Sequence, residues 1–237
     1  MACYCLNRGV CLWGNFSVSL SQVKDFFSHA IPLSASGVSR VIGNACFVWL
    51  VGSVSTAILI SNNILVSINY IFIMPLVALG ITVNSLIANE IGKDRNPSIL
   101  LNASLLVGTL YLSLVFLIIN TFDSFLFELF TPDSVDESLA NEFGSSLLPM
   151  FSYVVVFCYS SIFSKYLESY KKNKLVFNVR FYISTVINVS TLYFFINIFG
   201  GREGVLSLAW YLGAVFEFFA AVVLYFYTLK IKRGSYE

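Results

Sequence analysis

Two ionisable side chains lie inside long apolar runs of this sequence. Arg40 sits in the run 38–42 (VSRVI), and Glu217 sits in the run 215–219 (VFEFF). A charged side chain at the centre of a membrane helix costs ~2.5–3.5 kcal/mol on insertion scales, so it is expected to have a partner or to line a wet cavity. The two residues therefore predict either a structural ion pair between helices or charges that line a solute cavity.

Arg40 and Glu217 are expected at similar depth in the membrane. Counting ~1.5 Å per residue from opposite membrane faces places both near mid-bilayer, and we hypothesise that they pair. Glu217 is also a candidate proton carrier, but an arginine partner stabilises its charged form. Pairing and proton coupling are therefore competing interpretations of the same carboxylate.

Amide and hydroxyl side chains form a polar thread along the first two apolar segments. Asn44 and Asn69 are the candidates for contact with a solute, and Ser39, Ser67, Thr82 and Asn84 belong to the same thread. Hydrogen bonds between membrane helices, at ~0.6–2 kcal/mol each, explain such residues without a solute. A cavity lining is the alternative.

Two tyrosines near Pro149 offer a second kind of contact. Tyr153 and Tyr159 could stack on an aromatic or cationic solute. Tyrosines near a bilayer edge more often anchor the interface, so that interpretation stays open beside the first.

Motifs of enzymatic chemistry are missing from the sequence. It contains no glycine-rich phosphate loop, no nucleophile elbow and one histidine for five cysteines. We therefore expect that the protein is not an enzyme and has no catalytic residue and no metal site. We also expect no cofactor, with H⁺ or Na⁺ as the possible coupling ion.

Composition indicates the elements that must position these residues. The chain is 57% hydrophobic and 11% charged, with a mean hydropathy of +0.80, whereas a soluble domain has about a quarter of its residues charged. The protein is therefore expected to be an integral, multi-pass membrane protein with membrane lipid as a partner. A net charge of +1 gives no reason to expect a nucleic-acid partner.

Six apolar segments of spanning length predict an all-α protein with six transmembrane helices. A tail (1–22) precedes a six-helix bundle (23–229), and a basic tail (230–237) ends the chain. The spans are expected at about 23–51, 55–90, 98–120, 135–165, 175–199 and 204–229, with an amphipathic connector at 122–130.

Lysine and arginine positions predict the orientation. If the spans alternate, only Arg202 falls on one side, and all other basic residues of the tails and turns fall on the opposite side: Arg8, Lys24, Lys93, Arg95, Lys165, Lys171, Lys172, Lys174, Arg180, Lys230, Lys232 and Arg233. The positive-inside rule then places both termini in the cytosol.

Several stretches occur along the chain in an order that resembles a known transporter family. The second span carries Pro75 and Gly80 and ends in the charged turn 89–95 (NEIGKDR); Trp13-x-x-Phe16-Ser17 leads into Ile31-Pro32. Further similar stretches are 129–133 (LFTPD), 147–149 (LLP) and the Gly/Trp-patterned stretch 204–217. Together they resemble the C-terminal half of multidrug and toxic compound extrusion (MATE) transporters.

The resemblance implies a fold and a function. MATE transporters have twelve helices in two six-helix halves, and they export organic cations and other solutes in exchange for H⁺ or Na⁺. This chain would then be a half-transporter or a fragment, working as a homodimer or with an N-terminal half. Pro75 and Pro149 are the expected hinges of alternating access.

The sequence departs from the family where coupling carboxylates are expected. Aligned on Ile31-Pro32 and on Pro149, those positions fall on Arg40, Ala45 and Cys158. Two alternatives therefore stay beside cation-coupled antiport. One is a non-transporting remnant or interaction subunit in the membrane; the other is a lipid-linked-substrate flippase on a related fold, in which a cavity arginine would make sense.

Overall fold

Ser19 begins the first helix with a capping box. Its hydroxyl accepts a hydrogen bond from the Gln22 amide, and the Gln22 side chain accepts one from the Ser19 amide. The structure is a computed structural model that describes residues 19–130, 137–199 and 204–234. The N-terminal tail to residue 18, the turn 131–133 and Arg202 lie outside these described residues.

Helices account for the described chain, and no strand occurs in it. In order they are α1 (Leu20–Gly52), α2 (Thr56–Ile91), α3 (Ser98–Thr121), α4 (Asp123–Phe130), α5 (Glu137–Ser169), α6 (Asn173–Val179), the π-helix π1 (Arg180–Ile187), α7 (Asn188–Phe199) and α8 (Val205–Gly234). Six segments are long and apolar enough to cross a membrane: α1, α2, α3, α5, the continuous run α6–π1–α7, and α8. The predicted all-α, six-span fold is confirmed.

Helix limits differ from the predicted ones at both ends of the bundle. α1 begins at Leu20, and α8 continues to Gly234, so the limits predicted at residues 22/23 and 229/230 fall inside helices. The hydrophobic pattern ends before the helix does, because a basic helical turn can extend beyond the apolar core of the membrane.

α5 lies at the centre of the bundle, between α2 and α8. In its most apolar window 61% of residues are buried, against 6% for the fifth span, which therefore lies at the outside. Hydrogen bonds tie α2 to α5 at both ends. Ser61 Oγ donates to the Leu139 carbonyl oxygen at 3.4 Å, and Ser169 Oγ donates to Asn84 Oδ1 at 2.7 Å. The two helices thus run in the same direction, as two spans separated by one other span must.

Two glycines allow neighbouring helices to approach closely. A Cβ on Gly108 of α3 would lie 2.8 Å from Cys158 Sγ of α5, and a Cβ on Gly43 of α1 would lie 3.0 Å from Thr185 Cγ2 of π1. Small residues at such contacts are typical of membrane helix packing, where van der Waals contact is a main source of stability.

π1 is the irregular part of the fifth span. For residues 180–187 the backbone has i→i+5 hydrogen bonding inside an otherwise α-helical segment. π-helical turns are rare and are frequently found at functional sites. This one packs against α1 and α8, where the side chains of the candidate site converge.

Candidate functional site

A cavity of ≈ 250 Å³ opens between five of the six spans. α1, α2, α5, π1 with α7, and α8 all contribute side chains to its wall. Its volume lies just below the ~300–1,000 Å³ of typical small-molecule pockets, so it suits a small solute.

Glu217 of α8 is held inside this cavity by the fifth span. Its side chain is only 4% exposed. Ser184 Oγ donates a hydrogen bond to Glu217 Oε2 at 2.7 Å, and Arg180 Nη2 lies 4.0 Å from Glu217 Oε1. The carboxylate thus has one direct hydrogen bond and one ion-pair partner at the limit of contact.

Arg180 links Glu217 to α5. Its Nε donates to Ser164 Oγ at 3.1 Å, and its Nη2 donates to Ser160 Oγ at 3.4 Å. Its guanidinium carbon also lies 5.8 Å from the ring centroid of Phe157, within cation–π range. Because two hydroxyls, a ring and a carboxylate surround it, this cation is well compensated.

Arg40 of α1 faces the cavity in a different way. Its guanidinium carbon lies 5.8 Å from the same Phe157 ring, its side chain is exposed, and it has no ion-pair partner among the described residues. The predicted Arg40–Glu217 pair is therefore not formed. Depth alone cannot select a partner, and the fifth span brings Arg180 against Glu217 instead.

The position predicted for Arg180 was also wrong, because that prediction grouped it with the lysines of a cytosolic turn. The helix begins at Asn173, so Arg180 lies ~10 Å inside the span at ~1.5 Å per residue. The fifth span is therefore the source of the cation that pairs with Glu217.

Aromatic rings form one side of the cavity. Ring centroids are 5.7 Å apart for Phe47 and Trp210, 5.8 Å for Trp210 and Tyr153, and 6.1 Å for Tyr153 and Phe157. We name these four residues the aromatic wall. Phe157 is the last ring of the aromatic wall and lies beside Arg40. A flat group packed on the wall would therefore lie next to the guanidinium of Arg40.

Several buried polar atoms of the lining have no hydrogen-bond partner among the residues that the structure describes. They are Oδ1 of Asn69, Oδ1 of Asn188, Nε1 of Trp210 and Oε1 of Glu217. Buried polar groups are nearly always paired with protein or water, since an unsatisfied group costs about 1–3 kcal/mol. Four such atoms in the wall of one cavity indicate a place for a polar solute or for water.

Five of the six predicted solute-contacting residues meet at this cavity: Arg40, Asn44, Asn69, Tyr153 and Glu217. Tyr159 does not, because its hydroxyl is 3.0 Å from Thr109 Oγ1 of α3. The two tyrosines are six positions apart, which turns their side chains to different faces of α5, whereas Phe157 at i+4 shares the face of Tyr153.

The family's other carboxylate positions fall outside the cavity. Cys158 is 1% exposed and packs against Gly108, and Ala45 is exposed outside the lining. Sequence reasoning missed Arg180, Ser184, Asn188 and Trp210. An available signal was the four-residue spacing of Arg180, Ser184 and Asn188, which places three polar side chains on one face of an apolar helical segment.

Both predicted hinge prolines lie within continuous helices beside the cavity. Pro75 leaves the Ile71 carbonyl without its helical donor, and Tyr111 of α3 donates to the adjacent Phe72 carbonyl oxygen at 3.0 Å. Pro149 lies one turn before Tyr153 in α5. Their role as hinges stays a prediction.

Comparisons with known proteins agree with this architecture. The MatE family matches residues 32–194, more than half of this chain, and no curated protein matches. A solved structure of a MATE in the bent conformation superposes with a TM-score of 0.79 and 15% identity, over 93% of this chain and 48% of that one. A MATE in complex with MaL6 superposes with a TM-score of 0.78 and 15% identity, over 93% and 49%. The chain thus spans about half the length of the solved structures that it matches.

Proposed function

Because this chain belongs to the MatE family of transporters, we propose that it forms one six-helix half of a secondary transporter, of the C-terminal type. This half would export organic or xenobiotic solutes by alternating access, in antiport with H⁺ or Na⁺. The observation that carries the proposal is the cavity of ≈ 250 Å³, whose wall holds buried polar atoms without partners. Such a lining offers hydrogen-bond donors and acceptors to a polar solute.

Glu217 is the residue proposed to bind the coupling ion. Among the described lining residues it is the only carboxylate, and its Oε1 has no hydrogen bond. A proton or Na⁺ at Oε1 would weaken the attraction between Glu217 and Arg180, because it neutralises the charge that the guanidinium faces. Arg180 would then hold only the two serine hydroxyls of α5, which couples ion binding to the contact between the fifth span and α5.

A second half is part of the proposal. The chain covers 48% and 49% of two solved MATE structures, so a homodimer or a complex with an N-terminal half would supply the remaining helices. Both termini are proposed to face the cytosol, as the lysines of the turns indicate.

The rival function is a non-transporting remnant or interaction subunit. The observation that favours it is that Arg40, Ala45 and Cys158, none of them acidic, occupy the positions at which the family resemblance implies coupling carboxylates. A flippase for lipid-linked substrates is favoured only by Arg40, a cation at the cavity that has no ion-pair partner among the described residues.

Transport by purified protein in proteoliposomes separates these functions. The assay measures movement of a fluorescent organic cation and a fluorescent organic anion under an imposed pH or Na⁺ gradient. We expect gradient-dependent movement of at least one solute, loss of the gradient dependence in Glu217→Gln, and no change in the control Glu90→Gln, which lies in the last turn of α2 outside the cavity lining. Folded protein that moves neither solute under either gradient rejects the antiporter and leaves the rival.

A further inference from the structure

We propose that the cavity selects small organic anions with a flat aromatic body, and that the anionic group binds Arg40. This inference rests on the proposed transport function, whose substrate class it names.

The charges of the lining favour an anion. Among the described residues of the lining, Arg40 and Arg180 are cationic and Glu217 is anionic, which leaves one positive charge in excess. Glu217 is already held by Ser184 and Arg180. Arg40 has no ion-pair partner among the described residues, so it is the charge left for a solute.

Arg40 is also suited to this contact by its chemistry and exposure. A guanidinium presents a planar fork of donors that matches a carboxylate, sulfonate or phosphate with two parallel hydrogen bonds. The Arg40 side chain is exposed, whereas the Arg180 side chain is 13% exposed and directed at groups of the protein. A solute entering the cavity can therefore reach Arg40 without displacing an existing ion pair.

The aromatic wall specifies the rest of the solute. Phe47, Trp210, Tyr153 and Phe157 adjoin one another in that order with centroid separations of 5.7–6.1 Å, and Arg40 lies over the last of these rings. A flat ring system on this wall would place an attached anionic group beside the guanidinium. The unpaired Trp210 Nε1–H adds a donor to the same side, which again suits an acceptor-rich solute.

A soluble anion fits this place better than a lipid headgroup. Arg40 lies twelve residues before the end of α1 at Gly52, or ~18 Å along the helix, and farther from its start at Leu20. The anionic group of an ordinary bilayer lipid lies at the membrane surface, well away from this depth.

The direct test measures binding to the purified protein in nanodiscs of zwitterionic lipid by calorimetry. The probes share one ring system: 2-naphthoate, its neutral amide 2-naphthamide, and the cation 2-naphthylmethylammonium. We expect 2-naphthoate to bind at least about tenfold more tightly than the other two, as a charge-assisted contact predicts. Arg40→Gln should abolish that preference, and Arg40→Lys should retain part of it.

Controls keep a folding defect apart from a lost contact. Arg95→Gln removes an exposed arginine of the α2–α3 turn and should leave all three affinities unchanged. Thermal unfolding identifies any variant that is not folded, and the preference among the three probes on the unaltered protein tests the proposal without any variant.

Each result then has one meaning. Tighter binding of the amide or of the cation, or an anion preference that persists in Arg40→Gln, overturns the anion assignment but leaves a working solute site and the proposed transport intact. Phosphatidylglycerol in the nanodiscs that displaces 2-naphthoate through Arg40 overturns the soluble source in favour of a lipid. Absence of binding by all three probes, together with absence of transport, rejects both proposals.

Discussion

Arg180 and Glu217 form a buried ion pair between the fifth span and α8, and its serine partners explain why it is tolerated. Burying two charges is costly unless good geometry and further hydrogen bonds compensate. Here Ser184 satisfies one carboxylate oxygen, and Ser160 and Ser164 accept from the guanidinium. The cost of removing both partners should therefore be smaller than the sum of the two single costs.

A double-mutant cycle at this pair gives the first prediction. Glu217→Gln and Arg180→Gln should each lower the free energy of unfolding by about 3–5 kcal/mol, because each leaves a buried charge. The double variant should be more stable than the sum of the two losses predicts, by ~0.5–3 kcal/mol. Denaturant unfolding in detergent micelles measures the coupling.

The matched comparison for this cycle is Arg40→Gln with Glu217→Gln. Since Arg40 has no ion-pair contact with Glu217, the coupling of these two changes should be smaller than that of Arg180→Gln with Glu217→Gln. Stronger coupling for Arg40 than for Arg180 would contradict the Arg180–Glu217 pair.

Gly108 supplies a second prediction at the residue scale. Gly108→Ala should destabilise the protein by about 1–3 kcal/mol, because its Cβ would approach Cys158 Sγ to 2.8 Å and force α3 away from α5. Cys158→Ala in the same chain should recover part of the loss by removing the sulfur. Gly144→Ala is the control: its Cβ meets nothing within 4 Å, so thermal unfolding should show an unchanged or slightly more stable protein.

At the scale of the element, α2 and α5 are long helices with a proline beside the cavity. Proline removes one helical hydrogen bond and is a place at which a helix can bend. α2 is secured at that point by Tyr111, whose hydroxyl donates to the Phe72 carbonyl oxygen. A bend at Pro75 during the proposed transport cycle would therefore act on the contact between α2 and α3.

The third prediction concerns these hinges. Pro75→Ala and Pro149→Ala restore a helical donor, so they should slow solute transport severalfold and leave the binding affinity of the same solute unchanged. Pro97→Ala, at the start of α3, should alter neither quantity. Transport at the normal rate by both hinge variants would show that the prolines are static kinks.

The sequence predicted where the helices lie along the chain better than it predicted how each helix is rotated about its axis. Hydropathy located all six spans, since a bilayer requires about twenty apolar residues per helix. The partner of Glu217 depends on how each helix turns about its axis, which composition does not reveal. Arg180 was missed because it was grouped with the lysines of the preceding turn, and π1 has no sequence signature that separates residues 180–187 from ordinary helix.

At the scale of the molecule, the family and the six-span fold predicted from the sequence are both confirmed. The similarity to solved structures at 15% identity supports the spatial arrangement of the helices. It does not carry over the chemistry of the cavity, where this chain has its own set of charges.

Orientation gives the fourth prediction. In a variant without native cysteines, Ser53→Cys lies in the turn between α1 and α2, and Lys172→Cys lies in the turn between α5 and α6. A membrane-impermeant maleimide applied to intact cells should label Ser53→Cys alone, because the positive-inside rule places the lysine-rich turn in the cytosol. Permeabilised cells, in which both should react, are the control. Labelling of Lys172→Cys in intact cells would reverse the topology.

The π-helical stretch also changes how this chain should be compared with its relatives. A segment bonded i→i+5 accommodates more residues per turn than one bonded i→i+4, so it takes up extra chain without lengthening the span in proportion. Counting residues from a relative with a regular fifth helix would then misassign Asn188 and all later residues by a position. Residue correspondences beyond Ile187 are better drawn from superposed backbones than from an ungapped alignment.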